Sequence, residues 1–136
     1  MEKKNIDWSN LDFAYMPTDK RYVSNYKDSA WDEGTLTEDS TVHINECAGV
    51  LQYAQTVFEG LKAYTTEDGH IVTFRPDLNA ERLENSALRL EIPPFPKDRF
   101  IDAVTQVVSA NAAYVPPYGS DATCYESHLR FPTDTK

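Results

Sequence analysis

Asp68-Gly69 is the feature that most restricts how this chain can fold, because it stands between two runs with strand character, 61–67 and 70–74. In a tight hairpin both turn residues take positive φ, and Asp-Gly suits that geometry, so the runs are expected to pair as antiparallel strands. Pro76 stops the second strand. Asn79 then offers an N-cap for a helix over 80–90, where Leu83, Ala87 and Leu90 recur at i, i+4 and i+7. Pro93, Pro94 and Pro96 break that helix. A second helix, about 97–113, gathers Phe100, Ile101, Val104, Val107, Val108 and Ala112 on one stripe. Two helices over a sheet are therefore expected.

Upstream, residues 1–12 are polar and read as a lead-in that docks through Trp8 and Leu11. Residues 21–27 alternate as a strand, with Tyr22, Ser24 and Tyr26 on one side. After a short polar break come 31–36, then another alternating run, 41–45, whose Val42 and Ile44 share a face. An antiparallel meander is the expected start. Between these runs and the hairpin lies Leu51-Gln-Tyr-Ala-Gln-Thr-Val-Phe-Glu-Gly-Leu-Lys-Ala-Tyr64. Ala54, Val57, Phe58 and Leu61 fall at the spacing of one helical face, and Gly60 gives the backbone a place to leave the helix.

That run resembles the signature of the branched-chain amino acid aminotransferases, the class IV, pyridoxal-phosphate-dependent transaminases. Their small domain carries Leu-His-Tyr followed by Phe-Glu-Gly-Leu-Lys-Ala-Tyr/Phe; here Gln52 replaces the His. A second matching block is Phe74-Arg-Pro-Asp-Leu-Asn-Ala-Glu-Arg-Leu83, followed by Ser86-Ala87, and the resemblance runs from about Phe13 to Ser120. Seven contiguous matching residues plus a second block at the family spacing form a specific signal.

The resemblance implies an α+β fold: the two-layer small domain of the fold-type IV (D-amino acid aminotransferase-like) enzymes, a largely antiparallel sheet packed by two to three helices. It implies pyridoxal 5'-phosphate as cofactor, with Arg82 matching the arginine that holds the cofactor phosphate. Arg82, Ser86 and Arg89 make a polar stripe opposite the helix's leucines. A planar guanidinium suits phosphate because it forks onto two oxygens. Phe13, Tyr53 and Phe58 would line the substrate pocket, joined by Tyr125 if the ending is native. Leucine, isoleucine and valine, with 2-oxoglutarate, are the implied substrates, and a cytoplasmic homodimer the implied setting.

No catalytic residue is expected in this chain. The family lysine that binds the cofactor lies in a larger domain, beyond where this sequence ends, so 1–120 read as an isolated small domain that is inactive alone. Lys62 is not that lysine and reads as a surface partner of Glu59. Past Gly119 the resemblance fails: where relatives continue Ala-x-Leu-Tyr-Ile-Arg-Pro, the chain has Ala122-Thr-Cys-Tyr-Glu-Ser-His128. Residues 121–136 are expected to be a divergent, non-native ending, or else a degenerate relic of that strand.

Charge and composition bound the alternatives. The formal charge is −9, with 22 acidic against 13 basic residues and no basic stripe, which speaks against nucleic acid. No apolar run is long enough to suggest a membrane span. Cys47, Cys124 and three histidines show no metal-ligand spacing and no disulfide framework. Two rival readings stay open. One is a different class IV reaction, D-amino acid transamination or aminodeoxychorismate lysis. The other is a non-catalytic module that self-associates through its exposed interdomain face.

Overall fold

The computed structural model describes residues 2–10, 16–120 and 126–132, with Asn10 and the last group described as backbone. Phe13 and Tyr125, two of the four expected pocket residues, lie outside the described residues, as does Leu11.

After a short 3-10 turn, Trp8–Asn10, the chain makes an interrupted hairpin. Strands β1 (Arg21–Val23) and β4 (Thr35–Thr37) pair antiparallel at its base, and β2 (Tyr26–Lys27) and β3 (Ala30–Trp31) pair at its tip. The expected continuous strand over 21–27 is thus broken at Ser24-Asn25. The reason is Asp32, whose carboxylate accepts from Ser24 Oγ (2.9 Å), Asn25 N (3.0 Å) and Asn25 Nδ2 (2.9 Å), taking donors that a ladder would use. Asp28 and Ser29 close the tip with positive φ at both positions. Trp31 fastens the hairpin to the rest of the chain. Its Nε1 donates to the Pro94 carbonyl at 3.0 Å, and its ring meets Phe95 edge-on with centroids 5.0 Å apart. The alternating run 41–45 forms no strand, and Val42 stands exposed.

The helix expected from Leu51 to about Gly60 is corrected most sharply. Helix α1 (Gly49–Tyr53) is short and ends at Ala54, which takes the left-handed conformation, φ 51°. From there β5 (Thr56–Thr65) runs as the longest strand, with Val57, Glu59, Leu61 and Ala63 buried in strict alternation. Two of the residues assigned to a helical face, Val57 and Leu61, are four apart, a spacing that fits period 2 as well as 3.6. The other two, Ala54 and Phe58, are exposed. Gly60 is a mid-strand residue rather than an exit from a helix.

The hairpin at Asp68-Gly69 is present: β6 (Ile71–Thr73) pairs with β5, with Thr65 opposite Ile71. Of the turn pair only Gly69 has positive φ (83°), because the loop is a turn closed by Gly69 N donating to Thr66 O at 2.9 Å, not a two-residue loop. On β5's other edge, β7 (Glu126–Pro132) pairs antiparallel from Thr56 to Lys62. The three-stranded sheet therefore has the order β6-β5-β7.

Helix α2 (Pro76–Arg89) covers one face of β5, and α3 (Lys97–Ala110) packs on α2 and β1. α2 begins four residues before the expected start. Pro76, whose missing N–H costs nothing in a first turn, opens it, so Asn79 is no N-cap but an interior residue facing β5. Leu90 caps the helix and is exposed, outside the buried stripe of Leu83 and Ala87. Val57, Leu61, Ala80, Leu83, Ala87, Ile92, Phe95, Phe100 and Val104 form one core, with Tyr22 and Trp31 packed against it. The observed class is mixed α+β with small antiparallel sheets and three α-helices among the described residues. None of these helices is long and apolar enough to cross a membrane.

Candidate functional site

Where α2 lies on β5, three polar side chains meet at the border of a region filled by Val57, Leu61, Ala80 and Leu83. Strand alternation turns Glu59 inward, and a carboxylate removed from water needs donors in its place. Asn79 supplies one: its Nδ2 lies 2.8 Å from Glu59 Oε1 and donates also to the Gly60 carbonyl at 2.8 Å. Arg82 stands one turn further along the same face of α2. Its Nη2 donates to Glu59 Oε1 and its Nε to Oε2 at 3.3 Å, so the carboxylate grips one edge of the guanidinium.

The two partners sit in different surroundings. The Glu59 side chain is 8% exposed, that of Arg82 63%. The hydrogen bond to Glu59, then its charge, raises the Arg82 pKa above the ordinary arginine value, so the cation is permanent. A guanidinium carries five N–H donors. With the Nε–H and one Nη2–H turned to Glu59, three donors remain on a side chain that is mostly exposed, and among the described residues no other acceptor takes them. That free edge has the donor set and geometry to receive an oxyanion, a phosphate in particular.

The expected pocket rings are placed elsewhere. Tyr53 ends α1 and is 86% exposed; Phe58 is 68% exposed and projects from the opposite face of β5 to Glu59. Phe58 is thus separated by the sheet from Arg82, which is bonded to Glu59 on the other face. One open cavity of about 480 Å³ is lined by Tyr64, Pro116, Pro117 and Tyr118, and another of about 380 Å³ by Lys3, His70, Val104 and Ser109. Lys62 is exposed and makes no ion pair among the described residues, so the expected Lys62–Glu59 surface pair is replaced by the Arg82–Glu59 pair. The sequence reading set Glu59 at the surface and Asn79 at a helix cap, whereas both are buried. The overlooked signal was parity: Glu59 alternates with Val57, Leu61 and Ala63, which buries it once the run is a strand.

No family model matches the chain. Over 122 residues, 90% of its length, it is 51% identical to a branched-chain-amino-acid aminotransferase of Haemophilus influenzae, and over 122 residues 40% identical to one of Helicobacter pylori. The chain is a homologue of the branched-chain amino acid aminotransferases. It spans about a third of these relatives, 36% of each. A methionine aminotransferase of Arabidopsis thaliana is 44% identical over 117 residues, of which the aminotransferase homologue covers 33%. Two solved branched-chain aminotransferases share the fold. The one from Thermoproteus uzoniensis, crystallised with norvaline, matches 83% of the chain and 41% of its own with a TM-score of 0.55 at 21% identity. The one from Thermobaculum terrenum, in its PLP form, matches 89% and 42% with a TM-score of 0.54 at 21% identity.

Proposed function

We propose that the chain is the small-domain part of a pyridoxal-phosphate-dependent transaminase that moves the amino group of leucine, isoleucine or valine to 2-oxoglutarate, giving branched-chain 2-oxo acids and glutamate. The observation that carries this reading is the Arg82 guanidinium, gripped along one edge by Glu59 with its outer edge free, in a chain half identical to a named branched-chain aminotransferase. Three unclaimed donors on a permanent cation fit a phosphate dianion.

Arg82 anchors the cofactor phosphate in this reading. Bound there, the cofactor would supply a conjugated ring that accepts the electrons released at the amino acid's α-carbon. In the whole enzyme this reading assigns Tyr53 and Phe58, both exposed in this chain, to a substrate wall with Phe13 and Tyr125; burying an aliphatic side chain there would contribute about 1.5 to 3 kcal/mol, enough to prefer leucine over a small or charged amino acid. No residue of this chain is assigned to moving the α-proton, so the chain does not turn over alone. In this reading residues 1–120 are the small domain and 121–136 a divergent ending. A cytoplasmic homodimer belongs to the same reading.

Two assays test it. Incubated with pyridoxal phosphate, leucine and 2-oxoglutarate, the purified chain is expected to form no glutamate above a protein-free control. In equilibrium dialysis it retains pyridoxal phosphate, and Arg82→Gln loses that retention. Glutamate formation, or equal retention by the variant, would overturn the reading.

A second reading is favoured by the outer face of the sheet. Phe58, Tyr64 and Val72 project from it, with Phe74 just beyond β6, all exposed. A non-catalytic module that self-associates through this face would sediment above its 15.4 kDa chain mass. A monodisperse monomer would rule that out.

A further inference from the structure

Burying Glu59 is costly by itself, and replacing a buried ion pair with apolar residues of similar volume is often neutral or stabilising. The pair is also lopsided, with one partner in the core and the other mostly in water, so packing does not explain it. Its geometry does explain something else. Asn79 Nδ2 bridges Glu59 Oε1 and the Gly60 carbonyl, both at 2.8 Å, which ties the carboxylate to the backbone of β5. Asn79 is itself buried, and it is a poor helix former placed inside α2, where an alanine would favour the helix. Glu59, fixed from below, has both oxygens on the edge of Arg82.

We infer that Asn79 and Glu59 form a positioning relay that immobilises the Arg82 guanidinium before any anion arrives. The relay starts at the backbone of the central strand, passes through two buried side chains and ends on an exposed cation. A free arginine must be immobilised when it binds an anion, at an entropic cost; here that ordering is completed on folding. The inference rests on the phosphate-anchor reading for its purpose, but its physical content is the order of one side chain.

The test is nuclear magnetic resonance on the 15N-labelled 136-residue chain. In the unaltered protein the Arg82 Nε–H is expected to be as ordered as the rigid backbone, about 0.85 as an order parameter, and to fall below about 0.6 in Asn79→Ala. Leu83→Ala, which loosens the core one residue away without touching the relay, leaves Arg82 ordered. Glu59→Gln, which keeps the shape and removes the charge, mobilises Arg82 even if Asn79→Ala does not fold. An Arg82 that is mobile in the unaltered chain, or that stays ordered in Asn79→Ala or Glu59→Gln, overturns the relay. Titration with inorganic phosphate separates this from the function proposal. The Arg82 Nη signals should respond, with affinity reduced by up to about tenfold in Asn79→Ala, the cost of ordering one flexible side chain. Mobilisation by Asn79→Ala with no phosphate response in either protein would leave the relay standing and remove the phosphate anchor.

Discussion

Asn111 joins the N-terminal hairpin to α3, and the strength of that joint can be worked out from its bonds. The side chain is 2% exposed and sits just past the end of α3. Its Oδ1 accepts from Lys20 N at 3.0 Å, and its Nδ2 donates to Lys20 O at 2.8 Å and to Val107 O at 2.9 Å. Asn111→Ala removes all three. At a net of about 1 kcal/mol for each bond, the loss is about 3 kcal/mol, and the unpaired Lys20 N–H adds to it where water cannot enter. The backbone bond from Asn111 N to Val107 O, 3.0 Å, survives, so α3 itself should persist. Urea unfolding followed by circular dichroism is the assay, with an unchanged slope expected and a thermal midpoint lower by about 10 °C. Asn111→Asp, which keeps the acceptor but sets a carboxylate against two carbonyls, should be at least as damaging. A loss below about 1 kcal/mol for the alanine variant would show that β1 is held without this clamp and would refute the reasoning.

Other expectations follow from particular contacts. Gly34 has φ 73°, and a Cβ there would lie 2.1 Å from Tyr22 Oη, whereas Gly69 has φ 83° and open space around it. Gly69→Ala should therefore cost only the left-handed backbone penalty, about 1 to 2 kcal/mol, and Gly34→Ala clearly more, since Tyr22 must also move; equal losses in denaturant would contradict this. Arg82→Met should melt at a lower temperature than Glu59→Met, because the first strands a buried carboxylate and the second frees a guanidinium into water; the reverse order would count against the described burial. The side-chain hydrogen bond from Asn25, backed by Ser24 and backbone amides, holds the Asp32 pKa below 3.8. With a depressed folded-state pKa, its stabilisation is present above pH 3.8 and is lost as pH falls through the lower folded value. The stability gap between the chain and Asp32→Asn should thus close in acid, and a gap constant from pH 6 to pH 2 would exclude that origin.

Much of the fold was legible because its signals are local. Gly69 is suited to the turn by its own φ, Pro76 stops β6 and opens α2, and the prolines of 91–96 separate α2 from α3 without reference to distant residues. The stripe on α3 predicted its buried face, since Phe100 and Val104 are in the core. The central run was misread because its apolar spacing suits two periods. Only the neighbours of β5 resolve it: α2 on one face, β6 and β7 on its edges.

The sequence by itself determined that residue 82 is an arginine on a helix and that a hairpin precedes it, because periodicity and turn chemistry act within a few residues. The tertiary structure alone decided that Glu59 is buried, that Asn79, twenty positions away, becomes its donor, and that Arg82 has one edge occupied and the other open. Those outcomes depend on which face of a strand meets which face of a helix, and that matching has no local signature until the chain has closed on itself.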